Sequence, residues 1–417
     1  MKKKLAIVGT GIAGMSAAFF LKEEYDITVY EKNSYIGGHT NTVYVEEDGK
    51  NLPIDTGFMV FNEVTYPNLI KLFNKLDVPY VDTDMSFGVR HNQSNLEYNG
   101  SNVDGLFAQR KNIFSLKHYK FLIDINKFNK IAPKYLEQNK SNLSIRDYVK
   151  ENNFSKDFYD KFLVPMSSAV WSTPTGKMGD FPAKSLIRFF YNHGFMGLDT
   201  QHQWKTVVGG SESYKAKLIE SFKDQITTEL GAKTVEEKDG KVIVEDTAGS
   251  LKEYDKVVFA SHADETLRLL KSPTLEQKKL LSPFKYQENI AVLHTDSNVM
   301  PKIKKVWSAW NYVIPNKTES YTVYWMNKLQ SVSEKNDYFI NINGESYIDE
   351  SKIIKRIVYH HPIFDEGTQK SQETLFSLNK DKSPLFFCGS YFKYGFHEDA
   401  LTSSVNLCSY LLGKDVL

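Results

Sequence analysis

An α/β fold opening on a strand–helix–strand unit is predicted by three features that follow one another in the first 31 residues. Leu5-Ala6-Ile7-Val8 is a continuous apolar run, the pattern of a strand buried on both faces of a parallel sheet. The glycine spacing Gly9-x-Gly11-x-x-Gly14 follows at once. Asp26-Ile27-Thr28-Val29-Tyr30-Glu31 then supplies a second β-type run that ends in a carboxylate.

Each part of this unit has a physical role. The first glycine allows a tight turn, the second lets backbone approach a pyrophosphate with no Cβ in the way, and the third lets the helix press on the sheet. Small and apolar residues from Met15 to Lys22, among them Ala17, Ala18, Phe20 and Leu21, read as that helix. Its first amides, including those of Ile12 and Ala13, with the positive end of the helix dipole, would face phosphates. Glu31, with Lys32 after it, stands seventeen residues beyond Gly14, where a carboxylate can accept from an adenosine ribose and would repel a 2′-phosphate. The bland alternative is a glycine-rich turn without a ligand; NAD and FAD are both open at this point.

Further along, Leu106 to Lys140 is helical in character, with Phe114, Phe121, Leu122, Ile125, Phe128 and Ile131 on one face and Pro133 expected to break or kink it. Eight Lys or Arg against two acids lie between Arg110 and Lys140. Residues 156–205, rich in aromatics and containing Pro165, Pro174 and Pro182, predict short helices and turns. From Val235 the rhythm is β again: a hairpin or meander through Lys241–Glu245 and a turn around Ala248-Gly249, with the apolar strand Lys256–Ala260 at its end returning to a sheet, then β-rich tracts at Asn289–Thr295 and Tyr321–Trp325, followed by a polar stretch from 327 to 352. Pro384–Gly389 reads as a last strand and Asp399–Leu412 as a last helix.

Composition narrows the class. At roughly 150 residues per domain, 417 residues leave room for two or three cores. Fifty-two Lys plus Arg against fifty-one Asp plus Glu give a net charge of +1, so no chain-wide field recruits nucleic acid. Cys388 and Cys408 lack CxxC spacing, which speaks against a zinc ribbon, a dithiol motif or a secreted disulfide framework and fits a reducing, cytoplasmic setting. The apolar run after the Lys2-Lys3-Lys4 start is too short for a signal-peptide core, and no run of about eighteen apolar residues spans a bilayer.

Gly37-Gly38-His39-Thr40, after a short loop beyond Glu31, begins a resemblance to the FAD enzymes of the flavin-containing amine oxidase, phytoene desaturase and protoporphyrinogen oxidase superfamily. There a glycine pair is followed by Arg; His39 here exchanges a permanent charge for a mostly neutral imidazole. Ile54-Asp55-Thr56-Gly57-Phe58-Met59-Val60 looks like the segment passing the isoalloxazine ring, Val207-Val208-Gly209-Gly210-Ser211 like a later glycine pair, and Val235 falls at the adenine-side backbone contact. Gly389-Ser390 and Gly395-Phe396-His397-Glu398-Asp399-Ala400 resemble the C-terminal signature in which a helix N-terminus supports the flavin.

The resemblance implies FAD and a Rossmann-like FAD-binding domain (parallel sheet plus β-meander) with an inserted α+β substrate domain, of amine-oxidase type. The expected FAD-binding segments are 1–80, 206–283 and 379–417; the substrate segments are 81–205, mainly helical, and 284–378, β-rich. More narrowly, the 37–43 segment, Pro165–Ser172, Val292–Asp296 and Gly395–Asp399 look like predicted NAD/FAD-binding proteins associated with cyclopropane-fatty-acid synthases.

That likeness implies hydride transfer to flavin N5 from an unsaturated or methyl-branched fatty acyl chain, free or in phospholipid, giving desaturation or double-bond isomerisation. An amine oxidase producing peroxide is the alternative, against which Phe396 replaces the cage tyrosine of amine oxidases; a non-catalytic flavin and lipid carrier for a lipid methyltransferase or cyclopropane synthase is a third. Met166, Trp171, Phe190 and Phe396 are expected to line the acyl pocket or else to be ordinary core, and His397, Glu398, His193 and Tyr394 are the candidates for proton transfer. No metal is expected: His193 and His202 lack helical spacing, and His360-His361 reads equally as a surface pair. The basic 110–140 segment reads either as a solvated helix face or as a peripheral contact with the inner face of a membrane.

Overall fold

The computed structural model describes residues 2–137, 143–171, 175–197, 202–316, 319–380 and 383–417. The end of the basic segment, Ser172 and Pro174 lie outside them. The N-terminal βαβ unit forms as its pattern dictates: strand Lys3–Val8, helix Ile12–Leu21 and strand Tyr25–Tyr30. The two strands pair in parallel, and Lys256–Phe259 and Leu385–Phe387 extend the same sheet on the other side. With Ile226–Thr227 at its edge this is a five-stranded parallel sheet, drawn from the beginning, middle and end of the chain. The helix His397–Leu412 packs on the helix Ile12–Leu21. The expected meander is present as Ala232–Lys238, Lys241–Asp246 and Leu251–Tyr254.

A second, seven-stranded sheet collects Phe87–His91 and Leu96–Asn99 with five strands between Lys285 and Ile363. The segment 81–205 is thus not only helical. Within the stretch read as polar, Phe339–Ile342 is a fully buried strand between Lys285–His294 and Tyr321–Trp325. A run of four residues is too short to stand out from polar flanks, yet it fills the centre of the sheet. The limits at 80/81 and 205/206 fall inside strands Tyr80–Thr83 and Trp204–Val207, which pair with each other.

Pro133 does not end the basic helix, which runs from Leu116 to Glu137. Proline removes one backbone donor, but Phe121, Phe128, Ala132 and Tyr135 keep the inner face buried on both sides of it. The described residues between 156 and 192 form the expected short elements, including a π-turn at Tyr159–Leu163 ahead of Val164–Trp171, and then Ala183–Asn192. Among the described residues no helix is long and apolar enough to cross a membrane.

Candidate functional site

Between the parallel sheet and the seven-stranded sheet lies a cavity of about 860 Å³, the size class of small-molecule and cofactor sites. Its floor is the glycine turn. Gly9 has φ +102°, and a Cβ on Gly14 would sit 1.9 Å from the Gly9 carbonyl oxygen, so the turn and the helix touch directly. A Cβ on Gly11 would meet no atom within 4 Å; it would enter the cavity. Gly38, with φ +59°, places its own Cβ direction 3.4 Å from Gly11 Cα, so the two glycine turns abut.

Glu31 is buried at this end. Its Oε2 accepts from the Thr10 amide at 3.0 Å and from the Thr10 hydroxyl, its Oε1 from the Asn33 amide at 2.8 Å, and the Gly37 amide donates to Thr10 Oγ1 at 3.1 Å. One carboxylate thereby ties both turns together, and Oε1 keeps lone-pair capacity for a further donor. Lys32 pairs with Glu265 at the rim.

Histidine surrounds the middle of the cavity. The His39 ring stacks on Tyr359 at 4.6 Å and lies 5.1 Å from the His361 ring, and its buried Nε2 has no partner within the protein. His361 Nδ1 is 2.7 Å from Asn289 Nδ2. His262, stacked on Tyr286, and His360 complete the group. Burial and the neighbouring imidazoles hold His39 well below its ordinary value and push His361 down to about 4, so both are neutral near pH 7.

His397 opens the C-terminal helix and stacks on Phe58 with ring centroids 3.9 Å apart. Its Nε2 is 2.7 Å from the Tyr214 hydroxyl, which in turn contacts the Thr40 hydroxyl. Burial alone pushes His397 down to about 3. The far end of the cavity is aromatic. Phe396 stacks on Phe189 at 4.9 Å, Trp171 lies 4.9 Å from Phe189, and Phe195 and Trp204 stack beyond. Glu31 and Glu265 are the acids among the lining residues, and both belong to the glycine-turn end.

Of the residues singled out in the sequence, Gly9, Gly11, Ile12, Ala13, Glu31, Lys32, Gly37, Gly38, His39, Gly57, Phe58, Met59, Val60, Trp171, Gly389, Ser390, Tyr394, Phe396, His397 and Ala400 come together on the cavity wall. Gly14 and Thr40 stand behind it as packing and hydrogen-bonding support. Five others are placed elsewhere. Val235 is buried in its strand and bridges to Leu270; the wall is formed by Gly231 and Ala232, where the chain passes Glu31.

Met166 and Phe190 are core, the latter packed on Phe128. His193 stacks behind Phe189 at 3.8 Å with Nδ1 on the Phe189 carbonyl, and burial pushes it down to about 4. Glu398 turns away altogether: its two oxygens accept from the Asn68 and Leu69 amides, each at 2.9 Å, at the start of the helix Pro67–Lys75. The second glycine pair is likewise outside the wall, because Asp55 caps its helix by accepting from the Ser211 amide at 2.9 Å.

His262, His360, His361, Tyr359, Trp310 and Tyr324 reach the wall without having been singled out for it. The only available signal was the His360-His361 pair, whose strand alternation was hidden by exposed Lys and Arg neighbours. Among the described residues no group of His, Cys, Asp or Glu is arranged to hold a metal.

The residues present fit an FAD-type dinucleotide. Two abutting glycine turns leave open backbone at Gly11, a carboxylate flanks the turn, His39 lines the same space, and a helix N-terminus begins at His397. Comparison with known proteins agrees. The sequence profile described as flavin containing amine oxidoreductase matches residues 12–301. Over short segments the chain is 40% identical across 72 residues to an uncharacterized protein of Acanthamoeba polyphaga mimivirus, covering 16% of this chain and 15% of that protein. It is 38% identical across 86 residues to a 1-hydroxycarotenoid 3,4-desaturase of Flavobacterium sp., covering 20% of this chain and 16% of the relative.

Among solved structures, putrescine oxidase bound to putrescine superposes with a TM-score of 0.71 at 13% identity, covering 99% of this chain and 100% of that one. A CLA-producing fatty acid isomerase from P. acnes gives 0.68 at 14% identity, covering 98% of each chain.

Proposed function

The chain belongs to the flavin containing amine oxidoreductase family and is an FAD-dependent oxidoreductase; from that premise we propose that it desaturates an unsaturated or methyl-branched fatty acyl chain, free or in phospholipid, or isomerises its double bond. When bound, FAD supplies a two-electron acceptor that takes a hydride at N5 from a carbon held against its ring. Gly9, Gly11, Ile12 and Ala13 with Gly37 and Gly38 would hold its phosphates, Glu31 its ribose, and Thr56 to Val60, Gly389 and His397 its ring system.

One observation carries the choice of substrate. The end of the cavity away from the glycine turns is built of Trp171, Phe189, Phe195, Trp204 and Phe396, and no carboxylate joins them on the wall. An ammonium entering there would exchange its hydration for aromatic faces alone, with no counter-charge, whereas methylene groups gain about 0.8 kcal/mol each from burial. His397 is too weak a base to hold a proton near pH 7; its stack on Phe58 and its bond to Tyr214 make it a positioning residue. Tyr394, raised by burial, stays protonated and can donate a hydrogen bond at the wall.

The test is anaerobic mixing of the flavin-loaded protein with unsaturated fatty acids, phospholipids and, as a control, polyamines and aryl amines. Loss of visible flavin absorbance on acyl addition, or a shifted double bond in the recovered lipid, is the expected result. Bleaching by amines with peroxide on aeration, and no change in any lipid, would overturn it.

A further inference from the structure

We propose that the outer face of the 110–137 region is a docking surface for an anionic lipid bilayer. The helix Leu116–Glu137 has two faces of different use. Phe121, Phe128, Ala132 and Tyr135 point inward, and Phe128 packs on Phe190 of the helix Ala183–Asn192, whose Phe189 lines the cavity. That side needs no further cover. Yet apolar residues also recur outward at Leu116, Tyr119 and Ile123, a stripe with helical spacing, continuous with Phe114 in the preceding turn. Phe114 is 90%, Leu116 86% and Ile123 64% exposed. Single exposed apolar residues are ordinary; a run of them along one helix face marks an interaction site.

The occupant follows from the charge around the stripe. Lys111, Lys117, Lys120, Lys130 and Lys134 are exposed on the same segment. Among the described residues Lys111, Lys120, Lys130 and Lys134 have no acidic partner. The nearby acids are engaged: Asp104 pairs with Arg110 and Lys305, Asp157 with Lys117 and Lys161, and Asp124 is buried on the Ser155 amide. Glu137 is the last residue of the helix.

Apolar side chains flanked by unpaired lysines match a bilayer, with acyl chains for the rings and anionic headgroups for the ammonium ions. A second copy of this chain fits poorly, since a two-fold contact would set these lysines against their own counterparts. The surface stands on its own residues, whatever the substrate of the cavity behind it.

The test is flotation of the flavin-loaded protein with vesicles of phosphatidylcholine alone or with added phosphatidylglycerol, at low and high salt. The protein is expected to float with the anionic vesicles, weakly with the neutral ones, and less as salt rises. Lys120→Ala and Lys130→Ala should each lower the partition roughly fivefold. The double variant Phe114→Asp/Leu116→Asp should lower it at least ~tenfold while keeping wild-type flavin content and thermal midpoint, because neither residue is in the core. Three results would overturn the proposal: no flotation of the wild type, flotation of the double variant equal to wild type, or a wild-type dimer in solution that the double variant returns to monomer.

Discussion

At the scale of single residues, Gly11 and Gly14 separate what the fold needs from what the ligand needs. A Cβ at position 14 collides with the Gly9 carbonyl at 1.9 Å, backbone that cannot yield without moving the strand from the helix. A Cβ at position 11, where φ is −58° and space is open, strains nothing in the protein. Gly14→Ala is therefore expected to destabilise the chain by several kcal/mol, about the cost of a severe overpacking. Gly11→Ala should leave the thermal midpoint of the apoprotein unchanged, yet lower the flavin retained per chain after gel filtration at least ~tenfold, since the methyl occupies the phosphate seat. Equal flavin retention in wild type and Gly11→Ala would mean that the dinucleotide does not lie against this turn.

At the scale of elements, the helix Pro67–Lys75 starts from Tyr66, which offers no side-chain cap, and its free amides at Asn68 and Leu69 are met by Glu398 from 330 and 329 positions away. Glu398→Ala strands both amides where water is scarce, so a loss of about 2 kcal/mol is expected, read as a lower denaturation midpoint with wild-type flavin spectrum and turnover. Glu398→Gln, which keeps one acceptor, should lose about half as much. A Glu398→Ala chain of full stability and no turnover would instead make this carboxylate catalytic.

The same residue shows where sequence reasoning ends. The N-terminal βαβ unit, the meander and the last strand were legible because each is a local pattern of runs, alternation and turn glycines. Glu398 beside His397 read as a site residue because adjacency along the chain was the only available measure; the first turn of a helix sends consecutive side chains about 100° apart. His397 faces the cavity and Glu398 the neighbouring helix. Phe339–Ile342 and the bank of histidines at 262, 360 and 361 were hidden for a related reason, since both gain their meaning from strands that pair across long separations.

At the scale of the whole molecule, burial holds several of the chain's histidines in neutral form, and this sets its response to acid. His193, His294 and His361 are pushed down to about 4, His397 to about 3, and His39 well below its ordinary value, in each case chiefly by burial. A histidine whose folded value lies below its unfolded value of about 6.5 binds fewer protons folded than unfolded across that interval, so its contribution to stability is present at neutral pH and is lost as pH falls from about 6.5 to about 4. Asp399, raised to about 6 by burial, acts in the opposite sense, as do Asp55 and Glu398, which burial also raises. Each favours the folded state as pH falls through its own window.

His91, His118 and His262 are lowered as well, chiefly by burial, so eight imidazoles stand against three carboxyls and decide the sign. The thermal midpoint of the flavin-loaded protein is expected to fall between about pH 7 and about pH 5, before carboxylate pairs are titrated. His193→Phe should flatten that fall, because the ring sits in an aromatic stack with Phe189 and Trp204 that a phenyl group can occupy and because the variant removes one proton-binding site from the unfolded chain. A midpoint that rises on acidification, or a slope unchanged in His193→Phe, would show that these histidines are not held neutral.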